Sequence, residues 1–141
     1  MKEHNVEKHD VARSRYHMYG HTLLRVIVGL LFIIAGYGKL QNPAGVAAML
    51  GGIGIFANMA TFWAWVLIIS ELLFGALIFI GYKIRYTAWP LAIILAAAVI
   101  TITIPDQGWN STSAFFHYIS IASLISLSWT GPGAYALSES R

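Results

Sequence analysis

Apolar residues gather in four long runs along this chain, His21–Leu40, Ala60–Gly81, Tyr86–Ile104 and Ser113–Trp129, separated by short polar or glycine-rich stretches. Each run holds about 17–22 residues, the length that crosses a hydrocarbon core about 30 Å thick. The pattern predicts an all-α fold, an integral membrane four-helix bundle. Between the first two runs, Asn42 and Pro43 stand as an N-cap and first helical residue ahead of Val46, Met49, Leu50 and Ile53 at helical spacing. That predicts a short interfacial or re-entrant helix, too short to span, closed by Gly51, Gly52 and Gly54. A tight turn, Gly81 to Arg85, joins spans two and three, and a polar loop from Pro105 to Asn110 joins spans three and four. Gly131-Pro132-Gly133 breaks the last helix. The chain thus divides into a polar N-terminal flank (1–20), the bundle (21–135) and a short tail (136–141).

Composition agrees with that pattern. Of 141 residues 57% are hydrophobic and 11% charged, with a mean hydropathy of +0.66; a soluble domain carries about 25% charge. Four helices leave no room for a soluble catalytic domain. The absence of cysteine excludes disulfides, iron–sulfur ligation and thiol chemistry by this chain itself. A net charge of +3 calls for no nucleic acid, because the basic residues flank helix ends and suit the lipid bilayer as partner. Lys2, Lys8, Arg13, Arg15, Lys83, Arg85 and Arg141 fall on one side and Lys39 alone on the other. The positive-inside rule then predicts a multi-pass protein of a prokaryotic cytoplasmic membrane with both termini cytoplasmic and Asn42–Met59 and Pro105–Thr112 outside. The first run follows about twenty polar residues and precedes no small-residue cleavage site, so it reads as a retained span.

Three charges lie within the runs: Arg25, Lys39 and Glu71. Each costs at least about 2.5–3.5 kcal/mol in hydrocarbon unless paired or lining a polar cavity. Arg25, Gly29, Phe32, Gly36 and Lys39 form one helical stripe. Counting depth at ~1.5 Å per residue, with the facing ends of spans one and two set level, puts Arg25 within ~6 Å of the level of Glu71 and leaves Lys39 ~21 Å from Arg25. The expectation is a buried Arg25–Glu71 ion pair, reached by close helix packing at Gly29, Gly36 and Gly75. Its alternatives are a purely architectural pair that fixes register and an Arg25 that snorkels to the headgroups. Lys39 then shares its depth with Tyr37, His117 and Trp109, a cation, an imidazole and aromatic walls that suit a quinone headgroup or small anion. The competing reading makes Tyr37 and Trp109 interface-belt residues and His117 a bundle hydrogen bond. Ser120 and Ser123 continue the polar side of the fourth span. No metal is assigned: His17 and His21 are four apart, with His4 and His9 nearby, but no third ligand stands at useful spacing. No phosphate loop, nucleotide fingerprint or nucleophile elbow occurs, and no catalytic residue is assigned.

The order of these landmarks, Arg25…Gly29…Phe32…Gly36-Tyr37-Gly38-Lys39, the glycine-rich short helix, Glu71, Gly81-Tyr82-Lys83-Ile84-Arg85 and Thr130-Gly131-Pro132-Gly133, resembles the DoxX family of small bacterial and archaeal membrane proteins over about residues 22–135. The resemblance implies a four-helix membrane bundle. For some relatives it implies links to thiosulfate:quinone oxidoreduction, to terminal quinol oxidase preparations and to membrane complexes handling thiol or superoxide stress. It reaches neither the histidine-bearing flank nor His117. The leading expectation is a redox-linked subunit, at most part of a quinone-linked oxidoreductase, with quinone as its non-covalent cofactor and a protein partner or a second copy of itself beside it. A non-catalytic scaffold subunit and a small-solute or proton permease are the alternatives.

Overall fold

A computed structural model of the chain describes residues 2–137, with side chains from residue 18 onward. His4, His9 and His17, and the tail beyond 137, lie outside the described side chains. The architecture is all-helical: α1 Lys2–Leu40, α2 Pro43–Gly51, α3 Ala60–Ile80, α4 Ile84–Ala98, then a π-helical turn Val99–Thr103 running into α5 Ile104–Gln107, and α6 Thr112–Thr130. Three stretches, Met18–Leu40, Ala57–Ile80 and Ile84–Gln107, are long and apolar enough to cross a membrane. The fourth expected span, α6, has 19 residues, about 28 Å of helix, but falls short of the other three in hydropathy. Several of its polar residues face inward, with Ser128 buried and His117 and Ser120 half-buried. His117 and Ser128 bond carbonyls of their own helix, Ser113 O and Ile125 O, and these polar side chains lower the helix's mean hydropathy.

The buried face of α1 is the stripe read from the spacing, with Arg25, Val28, Gly29, Phe32 and Gly36 all inside. On α3 the matching stripe is Ala64, Ile68, Glu71, Gly75 and Ile78. The two helices run antiparallel in near contact. A Cβ on Gly29 would lie 2.6 Å from the backbone nitrogen of Phe79, and one on Gly75 would lie 2.9 Å from Phe32 Cβ. Small residues let the backbones meet, which replaces the hydrophobic drive that lipid does not supply. Those contacts fix the register: Gly29 meets Phe79, Phe32 meets Gly75, and Gly36 meets Leu72 and Glu71.

Two apolar clusters hold the bundle. One joins Val28 and Phe32 of α1, Ile78 of α3, Leu91 and Leu95 of α4 and Leu124 and Leu127 of α6. The other lies at the α2 end, where Val46 and Leu50 pack on Ala64 and Ile68 of α3. Helix α2 starts as its sequence predicts: Asn42 Oδ1 accepts from the Gly45 N–H at 2.9 Å and Pro43 follows the cap. The π turn in the third span precedes Pro105, and there the Ile104 N–H donates to Val99 O, five residues back. Pro105 has no N–H to give and its ring crowds the carbonyl four residues before it, so the widened turn absorbs the misfit.

Candidate functional site

Glu71 pairs with Lys39. The ammonium of Lys39 lies 2.8 Å from Oε1 and 2.6 Å from Oε2 of Glu71, with the two side chains 29% and 6% exposed. The expected Arg25–Glu71 pair is thereby corrected. Setting the helix ends level would place Glu71 opposite residue 29, but the glycine contacts place it opposite Gly36, seven residues or about 10 Å further along α1. Helical side chains lean toward the N-terminus of their own helix. Lys39 therefore leans back toward Gly36 while Glu71 leans toward Leu67, and in an antiparallel pair the two lean into each other.

Arg25 is buried, 3% exposed, at the other end of the bundle. Its Nη1 donates to Pro132 O at 2.9 Å and its Nη2 to Tyr135 O at 3.3 Å. Thr22 Oγ1 donates to Ala134 O at 3.0 Å, and the Leu137 N–H reaches Ile80 O at 3.2 Å. The segment after α6 is thus strapped across the middle of α1 and the C-terminal end of α3, and Arg25 neither snorkels nor meets a carboxylate among the described residues. Carbonyl oxygens take charge-assisted hydrogen bonds from Nη1 and Nη2, while the buried Nε has no partner among the described residues.

Beside the Lys39–Glu71 pair opens a cleft of about 250 Å³. Leu31, Phe32, Ala35 and Lys39 of α1 form one wall, Phe116, His117 and Ser120 of α6 the other, and Glu71 and Leu95 lie between them. Leu31 and Phe116, at the rim, are 53% and 66% exposed. The cleft therefore opens between α1 and α6 on the apolar exterior of the bundle, with its charges inside. On its other side, Lys39 borders an open groove against α2 formed with Ala35, Gly38, Asn42, Gly45, Val46 and Met49.

Of the four residues expected to share one pocket, Lys39 and His117 do. Tyr37 and Trp109 do not: they are 58% and 68% exposed and line no part of the cleft. Depth alone suggested them, but Tyr37 lies two residues from Lys39, about 200° around the helix, and so faces away. Trp109 sits in the loop before α6. Their place as aromatic wall is taken by Phe32, on the Lys39 stripe, and by Phe116, the neighbour of His117 in α6. The His117 ring is tethered by its own helix, Nδ1 lying 2.6 Å from Ser113 O.

Comparison with known proteins agrees with this architecture. A family model described as DoxX matches residues 20–104, more than half of the chain. A Bacillus subtilis (strain 168) protein named "Putative oxidoreductase CatD" is 34% identical over 120 residues, 84% of each chain. No solved structure matches. With its helical bundle and apolar spanning stretches, this membrane protein belongs to the DoxX family.

Proposed function

We propose that the chain is a redox-linked membrane subunit that holds a quinone headgroup in the α1–α6 cleft and works with a partner oxidoreductase. The observation that carries this is a charged pair set inside a cleft whose rim is exposed and apolar. An amphipath can enter such a cleft from the bilayer, leaving its tail among lipid while its headgroup meets polar atoms. The cleft is smaller than the roughly 300–1,000 Å³ of a drug-sized site, which suits one ring rather than a whole prenylated molecule. Leu31, Phe32 and Phe116 give it apolar walls, and Lys39 and His117 give it hydrogen-bonding groups.

A bound quinone supplies two-electron, two-proton redox chemistry. The chain's own part is binding and orientation. Lys39 Nζ–H would donate to a carbonyl oxygen of the headgroup, Glu71 holds Lys39 through both carboxylate oxygens, and the apolar walls would limit water beside it. The name of the Bacillus subtilis relative supports an oxidoreductase setting. With the positive-inside orientation, the α2 end and this cleft belong to the outer leaflet of the cytoplasmic membrane.

Solvent extraction of the purified protein tests the reading. Wild type is expected to carry extractable quinone, and Lys39→Ala to retain at most about a tenth of it, the effect of losing one charge-assisted hydrogen bond. Protein that is free of quinone and binds none when it is added contradicts the reading. A stoichiometric partner that stays bound to such protein would make the bundle an accessory subunit instead.

A further inference from the structure

The tether on His117 decides which hydrogen-bonding character the cleft presents. Ser113 O can only accept a hydrogen, so at 2.6 Å the His117 Nδ1 must carry one and donate it. In the neutral ring that leaves Nε2 with a lone pair. Nε2 makes no hydrogen bond to the described residues, and it is not among their buried unpartnered atoms. It is therefore open, on a residue that lines the cleft. Across from it, Lys39 spends hydrogens on both oxygens of Glu71 and has a third to give. The cleft lining thus brings an acceptor, His117 Nε2, on α6 together with a donor on α1, with the Ser120 hydroxyl, which can donate or accept, three residues along α6.

A quinone's two oxygens only accept, so one of them would face the Nε2 lone pair with no hydrogen between. A quinol matches both groups: one hydroxyl donates to Nε2 and the other accepts from Lys39. We propose that the cleft is selective for the reduced, hydroxyl-bearing form of the headgroup, with His117 Nε2, set by Ser113 O, as the residue that determines this. The proposal rests on the quinone reading of the same cleft and deepens it by naming the redox form recognised.

The test is anaerobic equilibrium dialysis of the detergent-solubilised full chain against three probes: duroquinol, duroquinone and the dimethyl ether of duroquinol. Duroquinol is expected to bind about tenfold more tightly than either of the others, the factor for one neutral hydrogen bond made instead of a lone-pair conflict. His117→Asn, whose amide can donate as well as accept, narrows the difference between quinol and quinone to less than about threefold. Duroquinone binding as tightly as duroquinol to wild type overturns the selectivity while leaving the quinone site standing. Failure of all three probes to bind overturns both. Nitrogen NMR of the labelled imidazole gives an independent readout: hydrogen on Nδ1 of His117 is expected, and hydrogen on Nε2 alone overturns the proposal.

Discussion

Replacing Lys39 by methionine is expected to destabilise the bundle by about 3 kcal/mol, because it leaves Glu71, 6% exposed, without its counter-ion. Glu71→Gln should cost less, about 1–2 kcal/mol, since Lys39 is 29% exposed and borders the open groove against α2, into which its ammonium can turn. The double change Lys39→Met with Glu71→Gln removes both charges and should return stability to within about 1 kcal/mol of wild type. Unfolding in mixed detergent measures all three. Additive losses in the double variant would show that the two residues do not interact. Arg25→Met combined with Glu71→Gln, by contrast, should be additive within about 0.5 kcal/mol, because Arg25 binds carbonyls of the segment after α6, away from the Lys39–Glu71 pair. The double variant also separates structure from function. It should fold yet hold no quinone, whereas a scaffold would be unaffected.

The second large effect is expected at the contact between α1 and α3. Alanine in place of glycine in a helix interior gains up to about 1 kcal/mol in propensity. At Gly29 the added Cβ would lie 2.6 Å and 2.7 Å from the backbone N and Cα of Phe79, so the helices must part. Overpacking of this kind costs about 1–3 kcal/mol, which outweighs the propensity gain. Gly29→Ala should therefore destabilise, and Gly29→Leu should abolish the folded bundle. Gly75→Ala should be milder, since its nearest neighbour is the side-chain Cβ of Phe32 at 2.9 Å. Gly38→Ala is the control: nothing lies within 4 Å of its Cβ, and it should be neutral or slightly stabilising. A Gly29→Ala variant as stable as Gly38→Ala would contradict the close approach. Since that approach sets the register, it would also remove the reason for pairing Glu71 with Lys39.

The helices were legible because burial on one face imposes a 3.6-residue period, and that period named the inward stripe of α1 from Arg25 to Gly36 correctly. The short α2 was legible from local chemistry, the Asn42 cap and Pro43. The partner of Glu71 was not. Period gives the angle of a residue around its helix but not the sliding of one helix along another. Residues 41–59 do not hold the facing ends of α1 and α3 level. The glycines carried the missing signal: Gly36 lies one turn from Lys39, Gly75 one turn from Glu71, and close contact at both aligns the two charges. In the cleft the opposite error occurred. Tyr37 and Trp109 matched Lys39 in depth but not in angle, whereas Phe116 adjoins His117 and Phe32 lies on the Lys39 stripe. Arg25's partners were hidden for another reason: they are backbone carbonyls of Pro132 and Tyr135, which no side-chain pattern marks.

The proposed seat of a quinone headgroup, the cleft between α1 and α6 with the Lys39–Glu71 pair inside it, is open to covalent labelling. Photolabelling with an azidoquinone, followed by peptide mapping, tests it most directly. Label is expected on α1 between Leu31 and Lys39 and on α6 between Phe116 and Ser120, displaced by unlabelled short-chain quinone and lost in the folded double variant without the ion pair. Label that cannot be displaced, or that falls instead on the apolar hollow lined by Leu50, Phe56 and Trp63, would contradict it.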